Sequence, residues 1–158
     1  MLSPDFPLIQ PHIRFMQQAL LLAEQAFEAG EVPVGAVVVH NNTIIGKGYN
    51  QVELLKDATA HAEMIAISAA CETLGTKYLT GCSIYVTLEP CPMCAGALVW
   101  SKLDTLVFGA LDPKAGGCGS RFNIIDNQHL NHRVEVIQGV MEADSEFLLN
   151  AFFQQKRN

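Results

Sequence analysis

The sequence predicts one α/β domain over residues 1–158, with a largely parallel sheet covered by helices on its faces. Three observations predict it. Helical and β-prone segments interleave along most of the chain, as they do when strands are joined by helical crossovers. The stretch between the last two strand-like runs, Gly109 to His132, is long enough for a parallel crossover, which takes about a dozen residues or more. Finally, 49% of the 158 residues are apolar and 16% charged, so the chain can bury roughly two thirds of its unfolded surface.

The elements follow in order. Ile13, Met16, Leu20, Ala23 and Phe27 step by 3, 4, 3 and 4, drawing one apolar stripe down a first helix that Gly30 stops. Val32–His40 and Thr43–Tyr49 are β-prone runs joined by Asn41-Asn42, which reads as a hairpin. Ala60–Thr73 forms a second helix closed by Gly75, with Asp57 or Thr59 as its N-cap. Cys82–Leu88 is a strand. Pro92–Ser101 is a helix with proline in its first turn, where no amide donor is missed, and Trp100 falls in the core. Thr105–Phe108 and Arg133–Gln138 are strands separated by a Gly-rich loop over Pro113–Asn131, and Ser145–Gln155 is the last helix.

Charge and cysteine usage narrow the function classes. Ten Lys+Arg against 16 Asp+Glu give a net charge of −6, which argues mildly against a nucleic-acid partner. Five cysteines, an odd number, do not read as a secreted disulfide framework. Met1–Phe15 has no basic start followed by a long apolar core, and runs such as Ala19–Ala23 fall far short of the ~20 residues of a membrane span. The expectation is a cytoplasmic protein without membrane contact.

The chemistry concentrates in His61-Ala62-Glu63 and Pro90-Cys91-Pro92-Met93-Cys94, with Cys91 30 residues after His61. Positions i and i+3 share a helix face, so Cys91 and Cys94 can aim two sulfurs at one point. His61 adds a nitrogen. Three such ligands suit Zn²⁺ and leave its fourth tetrahedral position open, as in a catalytic rather than a structural site. Glu63 reaches the same metal only if both helices begin there and meet it end-on. Two helix N-termini then converge on the ion, each bringing roughly half a positive charge. Two thiolates cancel the charge of Zn²⁺, so the dipoles and a proton-accepting carboxylate restore its power to acidify water. A lone C-x-x-C equally describes a redox dithiol, but that reading leaves His-x-Glu without a task. Cys71, Cys82 and Cys118 read as buried thiols, His12 and His40 as ordinary hydrogen-bonding residues.

The pattern H-x-E followed by P-C-x-x-C is the known signature of zinc-dependent nucleobase deaminases. Beyond it, Gly48-Tyr49-Asn50, Thr59-Ala60-His61-Ala62-Glu63, Leu88–Ala97, Val107-Phe108-Gly109-Ala110 and Asn131-His132-Arg133-Val134-Glu135 closely resemble the bacterial tRNA-specific adenosine deaminases, a branch of the cytidine-deaminase-like superfamily. The resemblance runs from about Gln10 to Phe153.

It implies a three-layer α-β-α cytidine-deaminase-like fold around a five-stranded mixed sheet, and a homodimer with active sites near the interface. It also implies hydrolysis of adenosine to inosine at the wobble position of a tRNA anticodon. In that reaction a zinc-held hydroxide attacks C6 while Glu63 shuttles the proton. By motif match His61, Cys91 and Cys94 would hold one Zn²⁺, and Asn50, Ala62, Pro90 and Phe153 would contact the nucleoside. The target base must be splayed from its stack, and Phe152 and Phe153 are candidates to hold it. With a net charge of −6, RNA affinity needs a local patch, drawn from Lys114, Arg121, His132, Arg133, Lys156 and Arg157, with Lys102 nearby. The alternatives are a deaminase of a free base or nucleotide of guanine or cytosine type, and a non-catalytic zinc or RNA-binding module.

Overall fold

The computed structural model describes residues 6–126 and 129–157; the first five residues of the segment read for a leader, and residues 127 and 128 of the long loop, lie outside it. The elements are α1 (Phe6–Glu28), β1 (Gly35–His40), β2 (Thr43–Tyr49), α2 (Val52–Leu55), α3 (Ala62–Leu74), β3 (Cys82–Leu88), α4 (Pro92–Trp100), β4 (Thr105–Ala110), β5 (Glu135–Gln138) and α5 (Glu142–Arg157). The strands form one sheet in the order β2-β1-β3-β4-β5.

The sheet is mixed, as the family resemblance implies, and less parallel than the alternation of elements alone predicts. β1 runs antiparallel to both β2 and β3, while β3·β4 and β4·β5 are parallel. The reason lies in the hairpin: Asn41 and Asn42 turn the chain with φ of 48° and 65°, conformations that asparagine tolerates. The α3 crossover then returns the chain on the far side of β1, so β2 and β3 run the same way without touching.

Alternate side chains of each strand face opposite layers. Ala36, Val38, Ile84, Val86, Leu106 and Phe108 pack with Ala62, Ala66 and Ala70 of α3 and Ala95 and Leu98 of α4. Val37, Val39, Tyr85 and Val107 meet Phe15, Met16, Ala19 and Leu20 of α1, with Leu148 of α5 against them. The α1 stripe holds at Met16, Leu20 and Ala23, and is widened by Phe15, Ala19 and Ala26.

Two expectations are corrected, and one element is new. The N-cap of α3 is His61, not Asp57 or Thr59. Asp57 instead accepts from the Thr59 amide at 2.8 Å and its hydroxyl at 2.7 Å, closing a turn just before the helix. Trp100 is 84% exposed rather than core. It lies two residues, about 200° of helix, beyond the buried Leu98 and so points outward. The one-turn helix α2 has no counterpart in the sequence reading. It buries none of its side chains and therefore leaves no hydrophobic period.

Chain direction concentrates the chemistry at one end of the sheet. β2 and β3 are co-directional, so Asn50 and Cys91 both follow C-terminal strand ends, and α3 and α4 begin there too. This is where open α/β sheets accept ligands.

Candidate metal centre and active site

His61 and Cys91 are the N-caps of α3 and α4, with extended backbones at φ −75°, ψ 153° and φ −70°, ψ 171°. An N-cap side chain projects over the first turn, so two helix ends deliver their caps to one point. The His61 Nδ1 lies 3.6 Å from Cys91 Sγ and 3.5 Å from Cys94 Sγ. Zn–S and Zn–N bonds of about 2.3 and 2.05 Å at a tetrahedral angle place sulfur and nitrogen about 3.6 Å apart. Both nitrogen–sulfur edges thus match a tetrahedral zinc site, and all three ligand atoms lie within 4.8 Å of one another. Among the described residues this is the one cluster of metal-capable side chains, and no fourth joins it. The donor set fits a zinc ion with one coordination position left open. A dithiol alone would give no reason for the imidazole to face both sulfurs.

Hydrogen bonding from Cys94, and then from His61, lowers the Cys91 thiol to about 4 despite its burial. The same Cys91 interaction, with burial, drives Cys94 strongly upward, and Cys91 also raises His61. Glu63, in the first turn of α3, is 4% exposed. Burial chiefly raises its carboxyl, and the nearby Cys91 charge adds to this. A buried carboxyl with raised affinity for a proton, beside the metal-capable triangle, is suited to carry protons rather than to hold metal.

The triangle opens into a cavity of about 780 Å³ lined by Asn50, Ala62, Glu63, Leu88, Phe152 and Phe153 among others. Asn50 is 8% exposed and its Oδ1 has no hydrogen-bond partner among the described residues. Buried acceptors are ordinarily satisfied, so this one calls for a donor from a ligand or water. Phe152 is 6% exposed, while Phe153 is 44% exposed and borders a second, adjoining cavity of about 1220 Å³. Lys114, Lys156 and Arg157 line that second cavity.

Not every predicted residue gathers there. Pro90 is buried but absent from the cavity wall, because it turns toward the 112–120 loop: its carbonyl accepts from the Gly117 amide at 2.7 Å. His132 is hydrogen-bonded to the Leu103 carbonyl at 2.6 Å, Arg133 pairs with Asp126 at 3.8 Å, and the Lys102 ammonium sits 4.5 Å from the Tyr78 ring. Arg121 and these three line neither cavity.

Two buried acids escaped the sequence reading. Glu89, 2% exposed, accepts from the amides of Asp112, Cys118 and Ser120, each at 3.1 Å, and from the Ser120 hydroxyl. It thereby pins the 112–120 loop to the cavity. Glu31, also 2% exposed, bonds to α2. The signal was present in Glu89: an acid directly after the β-prone run Cys82–Leu88 and just before Pro90 sits at the end of a core strand, where a carboxylate must find donors.

Comparison with known proteins agrees with this site. A family model described as MafB19-like deaminase matches residues 10–157. The tRNA-specific adenosine deaminase of Aquifex aeolicus (strain VF5) is 56% identical over 144 residues, covering 91% of this chain and 95% of that protein. That of Bacillus subtilis (strain 168) is 48% identical over 143 residues, covering 90% and 89%. A solved structure from work on A-to-I editing by tRNA:A34 deaminases at the wobble position superposes with TM-score 0.84 at 41% identity, covering 86% of this chain and 99% of that one. A guanine deaminase from Nitrosomonas europaea has TM-score 0.78 but 24% identity, over 96% and 85% of the two chains, and shares the fold alone. With a deaminase model spanning nearly its whole length and relatives this similar, the chain belongs to the tRNA-specific adenosine deaminase family.

Proposed function

We propose that the protein is a single-domain zinc hydrolase that converts adenosine to inosine at the wobble position of a tRNA anticodon. The observation that carries it is the His61–Cys91–Cys94 triangle, with its zinc-like edges, beside the buried Glu63. The choice of tRNA over a free base rests on relatives at 48–56% identity, against a guanine deaminase at 24%.

His61, Cys91 and Cys94 would hold the ion, and Zn²⁺ bound there would supply an acidified water able to attack near neutral pH. Glu63 accepts the proton of the attacking water, delivers a proton to N1 of adenine, and passes one to the departing amino group, which leaves as ammonia. Asn50 Oδ1 accepts a hydrogen bond from the nucleoside. The Ala62 amide, in the first turn of α3 where N–H groups lack intrahelical partners, faces the base or the attacking water. The α3 and α4 N-termini favour negative charge on the oxygen that attacks C6.

Phe153, at the junction of the two cavities, offers a stacking face to a splayed base, and Lys114, Lys156 and Arg157 offer phosphate contacts. Changing Lys156 and Arg157 together to glutamate is expected to weaken stem-loop binding and flatten its dependence on salt. Unchanged affinity and slope in a filter-binding titration would remove both from the interface.

The chain works as a homodimer in the cytoplasm. Met93, Gly96, Ala97 and Trp100 share one outward face of α4, apolar throughout, with Trp100 84% exposed; a second copy would cover it. Trp100→Glu is expected to halve the mass measured by light scattering, and a monomeric unaltered protein would refute the dimer. Among the described residues no helix is long and apolar enough to cross a membrane.

The decisive experiment offers the protein a transcribed anticodon stem-loop beside free adenosine, guanine and cytidine, with zinc measured on the same sample. Inosine at the wobble position and about one zinc per chain are expected. Turnover of only a free base or nucleoside would overturn the RNA assignment, and a metal-free active enzyme would overturn the mechanism.

A further inference from the structure

We propose that Glu31 is a positioning residue: by capping α2 from outside the helix, it fixes Asn50 for the nucleoside, a role that rests on the reading of the site given above. α2 is a single turn, and turns this short do not hold themselves together in water. It buries no side chain, and Leu54 and Leu55 are 64% and 54% exposed, so no core contact holds it either. Its N-cap Gln51 makes no side-chain capping bond. Glu31 fills that role at a distance in sequence: Oε1 accepts from the Glu53 amide at 3.0 Å and Oε2 from the Leu54 amide at 2.8 Å. These are first-turn donors, where a carboxylate also opposes the positive end of the helix.

The consequence reaches the site through the backbone. Asn50 is two residues before α2, and its amide donates to the Val34 carbonyl at 3.1 Å, three residues after Glu31. The Gln51 amide donates to Ala60, beside His61, at 3.0 Å. Segment 50–61 is therefore a loop whose ends carry the unpartnered Asn50 Oδ1 and the His61 ligand, and whose middle is tied down by Glu31. Glu31, Val52 and Glu53 line the same cavity as Asn50 and Glu63. With both oxygens committed to backbone amides, Glu31 holds the wall and takes no part in proton transfer.

The test joins kinetics on the stem-loop with amide exchange on the zinc-loaded protein. Glu31→Ala is expected to lower kcat/KM about 10- to 100-fold through KM, with kcat and zinc content little changed, because Asn50 grips the nucleoside before and during reaction alike. Glu31→Gln, which keeps one carbonyl acceptor, should fall between. Adding either change to Asn50→Ala should cost little more than Asn50→Ala alone, since the two residues act as one. Additive losses, or a loss confined to kcat, would overturn the proposal. In the unaltered protein the Glu53 and Leu54 amides should exchange slowly. Exchange there as fast as in an unstructured chain would overturn the capping, whether or not any variant folds. No inosine from the unaltered protein would instead refute the functional reading, and the exchange result would still decide the cap.

Discussion

Glu63→Ala is expected to keep its zinc and lose turnover by at least about 10³-fold. Proton transfer by a positioned carboxylate typically contributes roughly 10²–10⁴-fold to one step, and here the same group serves both the attack on C6 and the departure of ammonia. Metal retention follows from geometry: His61, Cys91 and Cys94 complete the triangle without Glu63, which is no member of the cluster. Glu63→Gln sharpens the test, because it preserves volume at a position only 4% exposed and removes just the capacity to carry a proton. Both variants are to be compared by inosine formed on the anticodon stem-loop and by zinc per chain. Equal loss of zinc and activity would move Glu63 into the ligand set; retained turnover would remove it from the mechanism.

Much of this site was legible in the residues, because metal ligation leaves a spacing. The i, i+3 pair Cys91 and Cys94, a proline in the first turn, and His-x-Glu at a second helix start together demand two helix ends that bring one imidazole and two sulfurs together, and α3 and α4 do so. Strand β3 was legible to the residue, since Cys82–Leu88 alternates apolar Cys82, Ile84, Val86 and Leu88 with Ser83, Tyr85 and Thr87 and is bounded by Gly81 and Pro90. Features that depend on tertiary partners were not. Asp57 and Thr59 have the chemistry of N-caps, yet their bonds to each other close a turn and leave His61 to start the helix. Trp100 is read as core by hydrophobicity, and only the phase of α4 sets it outward. Glu31 and α2 define each other across a gap of more than twenty residues, and neither carries a local pattern. The basic residues show the same limit: charge is written in the sequence, but the gathering of Lys114, Lys156 and Arg157 on one cavity, and the exclusion of Arg133 and His132, is a product of the fold.

Gly48→Ala carries the second largest expected effect, and it acts on the metal centre without touching a ligand. α3 lies so close to β2 that a Cβ at Gly48 would overlap the Ala62 carbonyl oxygen, and would come within 2.8 Å of the Ala66 amide nitrogen. Ala62, Ala66 and Ala70, all fully buried, are the matching small residues on the helix, and Gly46 meets Ala66 and Ala70 one turn further along. The obstacle is backbone, so no rotamer change absorbs it; the first turn of α3 must move away from the sheet. Overpacking of this kind costs about 1–3 kcal/mol, and roughly 2–4 °C in Tm per kcal/mol for a chain of this size. The same displacement carries His61 away from the sulfurs 3.5 and 3.6 Å from it, so zinc affinity should fall along with stability. Truncating Ile65, whose Cβ also lies 3.0 Å away, should restore neither, because alanine keeps that Cβ and the Ala62 carbonyl remains. Differential scanning calorimetry of the zinc-loaded protein and a competition titration against a chelator measure the two effects. An unaltered Tm together with unaltered zinc affinity would mean that the glycines of β2 do not set the position of the metal-binding helix.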